Sequence, residues 1–538
     1  MRRSSRLRSL ILWTALLAIV PSAAWADGAI EGTVTFWGDP GGGTQIEVAA
    51  HSDPYGPPDE TVYIPISGGA YSIPIADGTY YVSTLMPRDG VFGEPRLEDV
   101  LVWYDADADG HRDAVTVSGG TVSGVDIDLG FIYVDIDATG ANAGTSWTDA
   151  FTSYHSAVSL AVSGVEIWVA EGTYVPGGMP TSTFGVKSGV RVFGGFAGGE
   201  TTRQERDWDA NPTIFSCEIG SVAATDNCFH VVTATDANET AVLDGITITR
   251  GYADGGGTHD IGGGLNVFGG GMSLVNSTVI DNHAEHYGGG AHTRNISYLV
   301  AYNSTFADNH AGYTGGGFYM HAEADHPSMA VNCVFTGNSA YAGAGLMVYG
   351  AVSGTPEEQP QIVNITANGN TATEGGAIYA NTSGNPVTIS NAVLWGNTAS
   401  TGPELWYETF YSLQPVANYS IVQGGWALGT QILTADPSFV PGSLRPSHSS
   451  PAIDSGDNTA VPQDIFVNGE YHWQENPRFK DLDHMWRYSD IPTVPDTGVS
   501  SPGDHNIDMG AYEAYIPTEI FEDGFESGDF SAWTSATP

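Results

Sequence analysis

Five segments of this chain carry asparagine, then five other residues, then asparagine again: Asn276 and Asn282, Asn303 and Asn309, Asn332 and Asn338, Asn364 and Asn370, Asn391 and Asn397. The second asparagine returns after 27, 29, 32 and 27 residues. A glycine column, Gly264, Gly290, Gly317, Gly345 and Gly376, keeps the same phase at intervals of 26, 27, 28 and 31. Two marks sharing one variable period define a structural repeat.

Between the marks lie short segments rich in Val, Ile, Thr and Phe, such as Thr278-Val279-Ile280 and Thr305-Phe306. Each is long enough for one strand and too short for an amphipathic helix. One coil cannot bury its own inward face, so coils must stack about 4.8 Å apart with their strands paired in parallel. Asparagine suits the corners, because it tolerates left-handed backbone and its amide can bond the equivalent amide one coil on. Glycine suits the tight turns for the same backbone reason. Parallel crossovers are right-handed. The expected fold class is all-β: a right-handed parallel β-helix with an N-terminal capping helix and a small N-terminal β-sandwich.

The flanks divide as follows. Residues 1–26 read as a signal peptide: Arg2, Arg3, Arg6 and Arg8, a short apolar run from Leu10 to Val20, and the cleavage pattern Ala24-Trp25-Ala26. Residues 27–130 alternate as strands, for example Ile30 to Phe36 and Tyr71 to Ile75, with turn clusters such as Asp39-Pro40-Gly41 between them. Residues 131–425 hold the solenoid. A helix is expected near 147–162, with Ser146 as N-cap, Asp149 three residues on and Gly164 as its stop, laid over the open first coil. Residues 426–515 form an irregular C-terminal cap, and 516–538 a tail.

With 17 basic and 62 acidic residues the net charge is −45, which repels nucleic acid, anionic lipid and polyanionic sugars unless divalent cations bridge them. No stretch after the signal is apolar enough to span a membrane as a helix. No cysteine follows the cleavage site, so no lipid anchor is expected. Cys217 and Cys228 either close a disulfide in an oxidising compartment or stay buried thiols, and Cys333 packs as a small apolar residue.

The segment with "YSIPIADGTYYV" and "DAVTVSGGTVSGVDIDL" resembles carboxypeptidase-regulatory-like sandwiches. The stretch "FGVKSGVRVFGGFAGGETTRQERDWDANPTIFSCEIG" and repeats such as "NSTFADNHAGYTGGGFY" resemble bacterial secreted right-handed parallel β-helix repeat proteins, related to chlamydial polymorphic outer-membrane proteins. Downstream, "YSIVQGGWALGTQILTADPSFV", "SSPAIDSGDNTAVP" and "NIDMGAYE" resemble the choice-of-anchor Q region. The resemblance covers about residues 132–514 and implies the fold and export, not an established activity. Cys217 stands where the pattern has glycine, and no autotransporter barrel or sorting helix follows.

The best local constellation is Asp105, Asp107, Asp109 and Asp113, with Gly110 at the sixth position of a calcium loop. Alternate carboxylates can wrap a hard cation, and Gly110 permits the sharp turn. Thr116 stands where a bidentate glutamate is usual, so the expected Ca2+ site is weak and structural. The histidines His259, His283, His286, His292, His310, His321 and His326 read as turn decoration, without metal-ligand spacing. Tyr287, Tyr313, Tyr319 and Tyr341 sit near the glycine column, where rings can stack on sugars. The insertion "GAVSGTPEEQPQ" is expected to project.

The expected role is non-catalytic and adhesive, at the cell surface or in the medium, with extracellular carbohydrate or a cell-surface protein as partner. The competing reading is a polysaccharide lyase or glycoside hydrolase. Asp281 and Asp308 share one repeat position and could supply paired carboxylates. Arg250 and Arg294 are the only arginines or lysines between 240 and 400, and neither forms a recognisable motif.

Overall fold

The computed structural model describes residues 28–514 except 38–44, 55–56, 87–99, 108–111, 221–223, 295–296, 323–326, 356–358, 411, 463–480, 484–486, 488–493 and 501–505. The signal-peptide segment, Asp39 to Gly43, Asp109, His326 and the tail 516–538 lie outside the described residues. Among those described, no helix is long and apolar enough to cross a membrane.

Three parallel ladders form the solenoid. The first sheet stacks strands from Ile127–Val134 through Val165–Ala170, Arg191–Phe196, Val242–Asp244 and Gly271–Val275 to Val416–Val422 and Gly429–Leu433. The second runs from Gly172–Tyr174 to Val393–Trp395, and the third from Phe184–Gly185 to Leu405–Tyr407. Inward residues build one continuous core in which Phe306 stacks on Phe335 at 5.1 Å and Phe318 lies 5.9 Å away. Each such buried ring contributes roughly 1.5–3 kcal/mol. The all-β parallel β-helix expected from the repeats is the observed fold.

The first asparagine column, Asn276, Asn303, Asn332, Asn364 and Asn391, does both jobs expected of a corner asparagine. It holds the left-handed corners at φ between 46° and 54°. Asn391 Nδ2 also donates to Asn364 Oδ1 and Asn364 Nδ2 to Asn332 Oδ1, each at 2.9 Å. The second is a buried amide ladder. Asn282 Nδ2 donates to Asn309 Oδ1 at 3.1 Å, Asn309 to Asn338 at 3.0 Å, Asn338 to Asn370 at 2.9 Å and Asn370 to Asn397 at 2.8 Å. Here the left-handed residue is the one before, such as Asp281 or Gly337.

The glycine column also needs correcting. Its members do not have positive φ; Gly288 and Gly315, two residues earlier, do. Gly290 and Gly317 are glycine because a Cβ would sit 2.4 and 2.5 Å from the carbonyl of the next coil. In register the partner of Gly345 is Ala377, not Gly376, since Leu346 pairs with Ile378. The true interval is therefore the 32 residues of the asparagine column.

The capping helix is shorter than expected. It spans Tyr154–Leu160, with Ser153 as N-cap. Ser146 does accept from the Asp149 amide at 3.2 Å, but as an isolated turn. Trp147 belongs to an outer aromatic cluster, 4.8 Å from the Tyr133 ring and 5.4 Å from Phe196. Tyr154 lies in the inner core, 5.0 Å from Phe215. One helix cannot serve both faces, so 150–153 stay extended, with the Phe151 amide on Tyr133 O at 2.9 Å.

The N-terminal unit is two packed sheets. Strand Ile127–Val134 joins it to the solenoid, pairing with Gly28–Trp37 on one edge and with Val165–Ala170 on the other. The boundary expected at 130/131 thus falls inside a shared strand. Cys217 and Cys228 are disulfide-bonded, and Cys333 is a buried thiol.

Of the segment 426–515 expected to cap the C-terminal end, Trp426 and Ile432 pack on the core and Gly429–Leu433 adds the last strand there, while the described parts of 452–514 lie along the side of the solenoid. Asn391 Nδ2 donates to Asp457 O at 3.0 Å, the Gly510 amide to Asn391 O at 2.8 Å and the Ala511 amide to Thr366 Oγ1 at 3.0 Å. Val461 and Ile507 pack on the outward apolar row of the first sheet. That row is apolar on both faces, so a strap over its outside removes it from water.

Candidate functional site

Successive residues of a strand point to opposite faces, so the third sheet carries outward rows above its core-facing ones. One row stacks Asn266, His292, Tyr319, Met347, Tyr379 and Trp406, one residue per coil. A parallel row carries Phe268 and Arg294, then His321 and Tyr349, in matching registers. Exposed Tyr287, Tyr313 and Tyr341 stand on the turns along the other side. The result is a groove along the solenoid axis with an aromatic floor.

Part of it is a cavity of about 380 Å³ lined by Asp260, His286, His292, Arg294, Tyr319 and His321, with the exposed Tyr287 and Tyr349 beside them. His292 stacks on Tyr319 at 4.9 Å, and Tyr287 lies 5.3 Å from the same ring. His286 Nδ1 lies 3.3 Å from Asp260 Oδ2 and its ring stacks on Tyr313 at 5.2 Å. Arg294 lies over Phe268 at 5.8 Å.

Burial, with Arg294 nearby, pushes the His292 imidazole down to about 3, and burial pushes His230 down to about 4. Both are therefore neutral near pH 7 and can donate from one nitrogen and accept at the other. His230 Nδ1 is placed on Gly262 O at 3.0 Å. The buried His292 Nδ1 and Asn266 Oδ1 have no hydrogen-bond partner among the described residues. A buried polar atom left this way costs about 1–3 kcal/mol, which a polyhydroxylated ligand would recover.

The histidines therefore do more than decorate turns. His286, His292 and His321 line the cavity. His259 lies beside His230 behind it, with rings 5.5 Å apart. His283 and His310 form a separate stack at 5.0 Å on the short sheet between turns. Arg250 lies 3.7 Å from Glu218, outside the cavity. Asp281 and Asp308 are exposed left-handed corner residues in adjacent coils. The insertion lengthens the third sheet before it turns away, because Gly350, Ala351 and Val352 pair with Thr382, Ser383 and Gly384. Asn266 and Phe268 went unnoticed in the sequence; alternation along Leu265–Phe268 was the signal that could have found them.

In the N-terminal unit, ligand atoms of Asp105, Asp107 and Asp113 lie within 4.8 Å of one another. Asp113 Oδ2 accepts from the Ala106 amide at 2.7 Å, and Ser163 Oγ, from the solenoid, donates to Asp105 Oδ2 at 2.6 Å. The loop thus sits at the junction of the two units.

No family model and no curated protein matches the chain. It is similar to the crystal structure of pectate lyase Pel9A, at 14% identity over 72% of this chain and 96% of that one, with a TM-score of 0.37. It is also similar to a family 28 exopolygalacturonase from Yersinia enterocolitica, at 11% identity over 69% of each chain, with a TM-score of 0.18. Identities this low bear on fold alone, and no residue role passes from either protein to this chain.

Proposed function

We propose that this is an exported protein that binds extracellular carbohydrate in the third-sheet groove, in an adhesive rather than a catalytic role. The observation that carries the reading is the aromatic floor combined with buried, unsatisfied polar atoms. Rings cover the apolar faces of sugars, and neutral imidazole and amide groups meet their hydroxyls. In a chain of net charge −45, neutral glycans fit better than polyanions.

Tyr287→Ala and Tyr349→Ala remove exposed rings without opening the core. Each is expected to weaken glycan binding about tenfold, the equivalent of about 1.4 kcal/mol. A glycan array followed by titration calorimetry measures this. Unchanged affinity in both variants would remove the groove from the binding reading.

The Asp260–His286 pair beside Arg294 favours a second reading, a polysaccharide-cleaving enzyme with His286 as proton acceptor. A reducing-sugar assay separates the two. Product release that disappears in Asp260→Asn establishes cleavage and sinks the non-catalytic role.

We further propose that Asp105, Asp107 and Asp113 hold a structural Ca2+ that braces the sandwich against Ser163. Millimolar calcium is then expected to raise the melting temperature of the protein but not that of Asp107→Ala. An equal calcium response in both would rule this site out.

A further inference from the structure

The two ends of the solenoid are finished differently. At the N-terminal end, the helix Tyr154–Leu160 packs on Phe184, the first strand of the third sheet, and the sandwich shares a strand with the first sheet. At the C-terminal end the third sheet stops at Leu405–Tyr407, which pairs on one side only among the described residues. The strands that follow, Val416–Val422 and Gly429–Leu433, extend only the first sheet, with Trp426 and Ile432 against the core, and none of the described residues pairs with the outer edge of Leu405–Tyr407.

That end is also chemically unlike the rest of the chain. Between 375 and 435 the only charged residues are Glu404 and Glu408, in a chain that is 15% charged. Glu404 is withdrawn into the protein. It ends the asparagine ladder, with Oε2 accepting from Asn397 Nδ2 at 2.5 Å and Oε1 from the Asn397 amide at 3.2 Å. Around it Phe410 is 87% exposed, Leu413 51% and Leu428 42%. Trp406, Tyr407 and Trp426 are half-buried, the last two 6.3 Å apart, beside a cavity of about 450 Å³ floored by Glu404 and Leu405. Charge depletion with exposed aromatic and aliphatic residues is the composition of an interface core.

We infer that this end face docks a second copy of the chain, giving a closed tail-to-tail dimer about a two-fold axis. Charge decides the partner and the arrangement. Two bodies of net charge −45 repel when side by side, and repulsion beyond the Debye length of about 8 Å is screened at physiological salt. Tail-to-tail contact places the uncharged faces together and the acidic flanks as far apart as possible. Assembly stops at two because the opposite end is covered.

Sedimentation velocity of the mature protein over micromolar concentrations, with small-angle scattering of the larger species, tests this. A dimer of nearly doubled length is expected. Phe410→Asp and Leu428→Glu, both surface changes, should each raise the dissociation constant at least tenfold and together leave a monomer, with unchanged circular dichroism. Tyr313→Asp, on the groove wall, should leave the dimer intact. A monomer at every concentration, a side-by-side particle, or a dimer that survives the double substitution overturns the inference. Glycan binding is measured separately and stands or falls without it.

Discussion

Asn338→Ala is expected to lower the unfolding free energy by about 3–4 kcal/mol, a large effect for one polar residue. Its Oδ1 accepts from both the amide and the Nδ2 of Asn309 at 3.0 Å, and its Nδ2 donates to Phe306 O at 2.8 Å and Asn370 Oδ1 at 2.9 Å. The truncation strips the buried Asn309 amide of its partner and leaves Phe306 O short of a donor, in a core that excludes water. Asn303→Gly provides the contrast. Asn303 sits at φ 46° and gives up one side-chain bond of 3.3 Å, and glycine adopts that backbone freely, so its cost should stay within about 1 kcal/mol. Urea unfolding followed by tryptophan fluorescence measures both. Equal costs would show that the buried amide ladder adds no more to the stability of the stack than the corner side chains do.

The side strap is expected to tighten as the pH falls from 8. Asp508 and Glu513 are both buried with one guanidinium, Arg487, whose Nη1 lies 2.9 Å from Glu513 Oε1. Asp454 and Asp481 are buried beside them, with the Asp454 amide on Asp508 Oδ1 and Asp481 Oδ2 on the Glu513 amide, each at 2.8 Å. Arg487 can neutralise one carboxylate, so the pair keeps a proton near neutrality. Burial pushes Asp508 up to about 7 from its ordinary 3.8.

The sign follows from proton uptake. The folded strap binds this proton up to about pH 7, and the unfolded chain only below about 3.8. Its contribution is complete below the lower value, falls as the pH rises through the window, and is lost above the upper one. At about 1.4 kcal/mol per unit, the gain from pH 8 to 5 is on the order of 2–3 kcal/mol. Glu404, pushed up by burial to about 7, acts in the same direction. The buried His230 and His292 oppose it, because they resist the charge that the unfolded chain accepts below about 6.5. Whole-molecule melting is therefore expected to rise as the pH falls from 8 to about 6.5 and then to level off. Hydrogen exchange at 506–514 isolates the strap, and Asp508→Asn should flatten its pH dependence. An unaltered profile in that variant would assign the proton to another group.

The coil architecture was legible because stacking repeats its demands. Each coil needs a corner, a buried amide and a close approach, so Asn and Gly recur until their period is plain. That only the first asparagine column takes left-handed backbone was not legible, since sequence shows residue type and not φ. Nor was the helix start, because only packing reveals that Trp147 and Tyr154 serve opposite faces. The site was half visible. Tyr287, Tyr319 and Arg294 stood out as rare or aromatic, while Asp260 reaches His286 from a turn whose spacing in sequence carries no mark. The strap was read as an end cap because nothing local encodes which face a segment covers.

That strap also sets an order of events. The asparagine ladder joins residues 27 to 32 apart, whereas Ala511 reaches Thr366 across 145. Closing the longer loop costs about 1–2 kcal/mol more in chain entropy, and its landing surface does not exist until the coils around Asn391 have formed. The coils can therefore zip one after another while the strap waits. Docking of 506–514 is then the closing step of folding, and a chain that stalls in mid-solenoid has no surface on which to fasten it.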